Sequence, residues 1–311
     1  MAFIAGTDLD VSSLCLGANV FGWTAGERAS FEVLDAYTGA GGNFIDSADV
    51  YSAWAPGNSG GESEAVIGNW LASRGNRSAV VVATKVGWAP GFEGLSAANI
   101  QAAADASLKR LRTDYIDLYY AHYDDQEVPF VETLGALDAL VRAGKVRYIA
   151  ASNYTAARLS EALATSEREG LARYVALQPR FNLIDRERYP AELADLVAAR
   201  GIDCLPYLGL ADGFLTGKYR RGGPPVDSSR AGKVARHMHD RGFAALAALD
   251  EVAAVHETSV ASVALAWLAA QPSVVAPIAS ARTAGQLADL LAAADVKLSP
   301  AEVERLSAFT G

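Results

Sequence analysis

Four polar residues stand where short apolar runs end, and their side chains together could transfer a proton. Asp46 closes the run Phe44-Ile45-Asp46, and Tyr51 follows five residues later. Lys85 comes directly after Ala83-Thr84, and His122 closes Leu118-Tyr119-Tyr120-Ala121. A tyrosine is a weak acid near neutral pH, with an ordinary pKa of about 10. A neighbouring ammonium favours the phenolate and lowers that value. Lys85 is therefore expected to make Tyr51 a usable acid, with Asp46 holding Lys85 in place. A neutral imidazole at His122 can donate a hydrogen bond to a substrate oxygen and orient it. Protonating a carbonyl oxygen completes a reduction only if a hydride also arrives, and side chains supply none, so the set implies a nicotinamide. Singly, each residue has an ordinary reading: Asp46 as a turn residue, Lys85 as a solvated charge, His122 as a core histidine, Tyr51 as pocket wall. Their placement in successive units carries the functional reading.

The elements that must position them alternate. Short apolar runs lie at 14–16, 43–46, 79–84, 116–121, 146–152, 175–178, 203–207 and 274–279. Helix-periodic, Ala/Leu-rich stretches lie between them, at 31–38, 62–72, 97–110, 129–142, 156–169 and 189–199, then 242–256 with 259–269, and 283–293. This alternation predicts βα units and a parallel sheet. Eight units in 311 residues predict a (β/α)8 TIM barrel, with residues 1–311 as one domain. The first βα turn, Leu16-Gly17-Ala18-Asn19, is not GxGxxG, which disfavours the doubly wound alternative. Ser96 and Thr155 are expected helix caps. Two alternating pieces in residues 1–12 predict a short N-terminal hairpin on the barrel floor. Ser299-Pro300-Ala301-Glu302 predicts the start of a C-terminal helix. The Gly-, Pro-, Ser- and Arg-rich stretch 220–233 reads as a mobile loop inside the seventh unit.

Barrel enzymes build their sites at the C-terminal ends of the strands, which is where the four polar residues fall. Composition narrows the function classes. The net charge of -9 argues against nucleic acid and anionic membranes as partners. It leaves room for an anionic cofactor, because a local cluster of donors can hold phosphates. Two cysteines, Cys15 and Cys204, lie in apolar runs and read as reduced core residues. The four histidines form no HExxH pattern and no CxxC exists, so no metal site is expected. Neither a signal-peptide pattern nor an apolar run of about 18 residues is present, and a cytoplasmic protein is the plain expectation.

Several motifs resemble those of the aldo-keto reductases, in the branch of bacterial enzymes and potassium-channel β-subunit relatives. Phe44-Ile45-Asp46-Ser47-Ala48-Asp49-Val50-Tyr51 is similar to that family's F-D-T-A-x-x-Y segment. Gly61-Glu62-Ser63-Glu64 with Ile67-Gly68 resembles its G-x-S-E-x-x-[IL]-G. The stretches from Ser107-Leu108-Lys109-Arg110-Leu111 to His122, and Gly144-Lys145-Val146-Arg147-Tyr148-Ile149 with Ser152-Asn153, resemble its fourth and fifth units. The resemblance implies a general acid at Tyr51, with Asp46, Lys85 and His122 completing a tetrad. It implies NADPH-dependent reduction of an aldehyde or ketone, or alternatively an NADPH-binding regulatory subunit of the channel β type.

The resemblance also implies where the cofactor binds. Ser152, Asn153 and Gln178 would meet the carboxamide, and Tyr207 would stack on the nicotinamide ring. Phosphates are expected after strands seven and eight. The segment from Leu210 through Gly213-Phe214-Leu215-Thr216-Gly217-Lys218 is similar to the family's G-x-L-T-G-K. Ser280, Arg282 and Gln286 open a helix whose N-terminus favours anions, and Arg282 with Ser280 points to NADP(H) before NAD(H). Three departures stand out: Tyr207-Leu208-Gly209-Leu210 where the family reads Tyr-Ser-Pro-Leu, Ser280 for a Gly, and Leu290, next to Asp289, for an Asn. Leu208, Leu210 and Asp289 remain expected cofactor neighbours. Trp23, Trp54, Trp88 and Tyr123 lie on the loops after strands one to four and would rim a substrate pocket. That rim suits apolar or aromatic carbonyls and sugar rings. Asp124 and Asp125 could hydrogen-bond hydroxyls or repel acids, but read first as a solvated loop pair. The sequence assigns no oligomeric state.

Overall fold

The computed structural model describes residues 1–310. Eight parallel strands form one sheet: β1 (Cys15–Gly17), β2 (Phe44–Asp46), β3 (Val81–Val86), β4 (Ile116–Ala121), β5 (Val146–Ser152), β6 (Tyr174–Gln178), β7 (Asp203–Cys204) and β8 (Ile278–Ala279). From β1 to β7 each pairs with the next in chain order, and β8 pairs with β1. The remaining seam, between β7 and the segment leading into β8, carries a parallel bridge from Cys204 to Val274. Three backbone bonds hold it: Cys204 N–H to Ser273 O at 2.7 Å, Val275 N–H to Cys204 O at 3.1 Å, and Ile278 N–H to Pro206 O at 2.9 Å. The sheet thus curls back on itself, as in a TIM-like barrel.

Helices α1 (Glu27–Gly39), α2 (Glu62–Arg74), α3 (Ala97–Leu111), α4 (Phe130–Arg142), α5 (Ala156–Glu169) and α6 (Ala191–Ala199) follow the first six strands. After β7 come α7 (Ala231–Val234), α8 (Asp240–Val255) and α9 (Val260–Ala269); after β8 come α10 (Ala284–Leu291) and α11 (Pro300–Ser307). Helix α10 returns against α1. Ser96, Thr155, Ser259 and Thr283 cap their helices by accepting a backbone N–H, and Ser299 with Glu302 forms a full capping box.

The two-residue period of a strand divides the core in two. Ile45, Val82, Tyr119 and Ile149 face the helices and join the large outer cluster. Cys15, Phe44, Val81, Ala83, Leu118, Tyr120, Ala150 and Ala176 fill the barrel interior. The expected hairpin is present, pairing Ala2–Phe3 antiparallel with Asp10–Val11. Its Ile4, Leu9 and Val11 pack into the same interior cluster and floor the barrel. The mouth is left to the opposite, C-terminal ends of the strands.

Several boundaries differ from expectation for identifiable reasons. The third strand runs two residues later than 79–84, because residues 77–79 form a 3-10 turn, so Lys85 lies within β3. The expected strands 203–207 and 274–279 shrink to two residues each. Pro206 and Pro277 lack an N–H and interrupt the ladder. Helix α6 begins at Ala191 because Pro190 occupies its N-cap. Helix α1 starts four residues before the expected 31. A small hairpin, Trp88–Ala89 with Phe92–Glu93, was not expected at all. Both cysteines are buried and free. Among the described residues, no single helix is long and apolar enough to cross a membrane.

Candidate active site

Strand alternation delivers the polar residues to one place. Val81, Ala83 and Lys85 form the inward stripe of β3, apolar toward the floor and cationic at the mouth. Asp46 is paired in register with Ala83, and Lys85 with Tyr120. Lys85 is fully buried and donates three hydrogen bonds: to Asp46 Oδ2 at 2.7 Å, to the Ser47 carbonyl at 2.6 Å and to Tyr51 Oη at 2.9 Å. Three bonds are the full capacity of an ammonium. Tyr51 Oη also donates to Asp46 Oδ2 at 3.3 Å, and Gln178 Nε2 donates to Asp46 Oδ1 at 2.9 Å. His122, one residue past β4, places its ring 6.2 Å from that of Tyr51. The four expected residues therefore converge.

The electrostatics differ from the sequence expectation at Tyr51. Burial, and then the Asp46 carboxylate, hold its hydroxyl well above the usual tyrosine range, so the phenol keeps its proton. Burial pulls the Lys85 ammonium below its usual value, against the opposing pull of Asp46. Burial and the Lys85 charge push His122 well below the usual histidine range. Its ring is therefore neutral and can donate from one nitrogen, and Nδ1 has no protein partner.

A cavity of about 270 Å³ opens beside Asp46 and Tyr51. Its wall includes Tyr207, Leu208, Leu210, Gly213, Lys218, Ser280, Arg282, Gln286 and Asp289, all expected from the sequence. Gly17 admits this geometry, since a Cβ there would lie 2.7 Å from Ser280 Oγ. Ser152, Asn153 and Gln178 are not on that wall. They form a cluster behind it, in which Ser152 Oγ bonds the Gln178 carbonyl at 2.8 Å and Tyr207 Oη bonds Asn153 Oδ1 at 2.9 Å. Asn153 is held at φ 62°. The departing loop is unusual in backbone: Leu208 has φ 56°, and its carbonyl accepts from Asn182 Nδ2 at 3.0 Å. Leu290 is buried on the cavity wall where the family's Asn was expected.

Among the polar cavity residues that sequence reasoning missed are Asn19, Thr24, Asp212, Ser228, Ser229 and Arg230. Arg230 comes from the stretch read as a mobile loop, where no periodicity marks it. Ser228, Ser229 and Arg230 of that stretch line the cavity, and the pairs Arg220–Asp250 and Arg221–Asp240 tie the stretch down. Lys218, Arg230 and Arg282 have no carboxylate partner within ion-pair distance among the described residues. Burial and the neighbouring Arg282 and Arg230 charges lower the Lys218 ammonium, and burial likewise lowers Arg230. Like charges crowded this way favour a bound polyanion.

The four rim aromatics form a continuous chain with Tyr51 and His122. Trp23 meets Trp54 edge-on at 5.8 Å, and Trp54 meets Tyr51 at 6.1 Å. On the other side Trp88 lies 4.2 Å from His122 and stacks on Tyr123 at 5.4 Å. Trp54 and Trp88 are 49% and 46% exposed, large apolar surfaces facing the mouth. Asp124 and Asp125 do not act as a solvated pair: Arg158 grips Asp124 with two bonds, at 2.7 and 2.9 Å, and Asp125 accepts the Leu95 N–H.

Comparison with known proteins agrees with this geometry. The chain is similar to "Uncharacterized oxidoreductase YrpG" of Bacillus subtilis, 34% identical over 95% of this chain and 91% of the relative. It is similar to "Norsolorinic acid reductase B" of Aspergillus parasiticus, 33% identical over 95% of this chain and 80% of the relative. A "Probable voltage-gated potassium channel subunit beta" of rice, Oryza sativa subsp. japonica, is 32% identical over 96% of this chain and 93% of the relative. The model of the Aldo/keto reductase family matches residues 13–310, and the chain belongs to that family.

Proposed function

We propose that this protein reduces an aldehyde or ketone to an alcohol with NADPH, Tyr51 donating the proton. The observation that carries the reading is the chain of contacts Asp46–Lys85–Tyr51 beside a cavity that also holds Lys218, Arg230 and Arg282. A nicotinamide dinucleotide, when bound, supplies the hydride. The unpartnered cations fit its phosphates, and Arg282 with Ser280 favours NADP(H) over NAD(H). By resemblance Ser152, Asn153 and Gln178 would meet a carboxamide and Tyr207 the ring; the bond from Tyr207 Oη to Asn153 Oδ1, at 2.9 Å, links that cluster to the cavity wall. His122, neutral, donates to the substrate oxygen and fixes it near Tyr51. Tyr51 keeps its proton at rest. As negative charge develops on the oxygen, the Tyr51 proton moves to it, and Lys85 stabilises the phenolate left behind. The Trp54 and Trp88 faces hold an apolar or aromatic substituent.

Tyr51→Phe tests this directly. NADPH consumption with a panel of aldehydes, ketones and keto-sugars falls by about 10²- to 10⁴-fold, the range of a lost general acid. NADPH binding, followed by protein fluorescence, is unchanged, and the same titration with NADH ranks the two cofactors. Turnover near the parent rate removes Tyr51 from the mechanism. The similarity to a channel β subunit favours a second reading, an NADPH-binding subunit that biases a partner. No turnover on the panel, together with a stoichiometric partner, would select it.

A further inference from the structure

Asp49 lies between Asp46 and Tyr51 in the chain and is only 1% exposed. A carboxylic acid at that depth costs free energy unless it is paired. Its pairing is sparse. Oδ2 accepts one hydrogen bond, from the Gly87 N–H at 3.2 Å, and Oδ1 has no partner. Its own backbone N–H donates to the Lys85 carbonyl at 3.1 Å. Main chain and side chain of one residue thus grip both ends of Lys85-Val86-Gly87. Gly87 has φ 125°, a conformation suited to glycine, so its N–H is aimed by a turn that side-chain-bearing residues rarely adopt.

The charged and titratable groups around Asp49 are Glu64 of α2, Arg110 of α3, Tyr119 of β4 and Lys85 of β3. Arg110 is already committed to Glu64 Oε2 at 2.6 Å, and Glu64 Oε1 accepts from Thr84 Oγ1 at 2.5 Å. No cation is left for Asp49 alone. Burial, and then Glu64, push its carboxyl up to about 7. Its negative charge also acts to raise the Lys85 ammonium, alongside Asp46.

We infer that Asp49 is a positioning residue for proton transfer: it clips the turn bearing Tyr51 to the strand bearing Lys85 and gives that ammonium a second negative neighbour. It touches no reacting atom and acts through Lys85. The inference rests on the reading of Tyr51 as proton donor. Asp49→Asn keeps an acceptor for Gly87 and removes the charge, whereas Asp49→Ala removes both. The experiment follows kcat and KM of both variants and the parent from pH 6 to 10, with NADPH binding in parallel. In Asp49→Asn, KM and NADPH affinity hold, and the alkaline limb of kcat moves to lower pH, because Lys85 loses its proton sooner. In Asp49→Ala, kcat falls by a further ~10-fold as the turn loosens. If the Ala variant fails to fold, the Asn profile decides. An Asn profile that superposes on an active parent overturns this inference alone. A parent that reduces nothing overturns the Tyr51 reading and this inference with it.

Discussion

Lys85 spends all three of its hydrogens on Asp46, Ser47 and Tyr51, and each of those bonds has a cost when it is lost. Lys85→Met leaves the Asp46 carboxylate buried without its cation, and destabilises the fold by about 3–5 kcal/mol in chemical denaturation. Adding Asp46→Asn recovers most of that stability and none of the activity, which separates folding from chemistry. A single variant as stable as the parent would show that the pair is not electrostatically coupled. Asp49 has the opposite sign. Its carboxyl is raised from 3.8 to about 7 in the folded chain. The unfolded chain therefore gives up this proton first, and stability is lost as pH rises from about 4 toward 7. Asp49→Asn removes that loss, so its Tm advantage over the parent is larger at pH 8 than at pH 4.5. An equal difference at both pH values would mean that the carboxyl does not titrate late.

Elements show which parts of this structure were legible and which were not. The strands ending at Asp46, at Ala121 just before His122, and at Ser152 are readable because each run is apolar, short and bounded by polar residues. A charge normally ends an apolar run, so the sequence places Lys85 after its strand; here the strand carries it inward, paired with Asp46. Pro206 and Pro277 shortened β7 and β8 without changing their place in the sheet. Arg230 was invisible, since a Gly/Pro-rich stretch gives no period from which to infer that one side chain turns into a cavity. The raised Tyr51 hydroxyl was equally hidden, because its cause is burial, which spacing does not report. Capping was the most readable feature. Ser299→Ala breaks the box with Glu302, whose carboxylate bonds the Ser299 N–H at 2.7 Å. It costs about 1 kcal/mol, seen as a lower Tm. An unchanged Tm would mean that α11 adds nothing to the cooperative unit.

For the molecule as a whole, the acidic exterior and the cationic hollow belong together. The net charge is -9, while Lys218, Arg230 and Arg282 share one cavity. A net negative chain disfavours anions in general, and the three positive groups facing one space offer a local exception. The hollow also adjoins the seam of the ring that is closed by an isolated bridge instead of a strand ladder. Between β7 and the approach to β8 only three main-chain bonds span the join, and a proline sits on each side. A ring opens first where its fasteners are fewest. Deuterium therefore enters amides at 204, 275 and 278 sooner than those of β4 and β5. Because residues following β7 and β8 line the hollow, a dinucleotide bound there would bridge the two margins and slow that entry. A dinucleotide would then act as the last stave as well as the reductant.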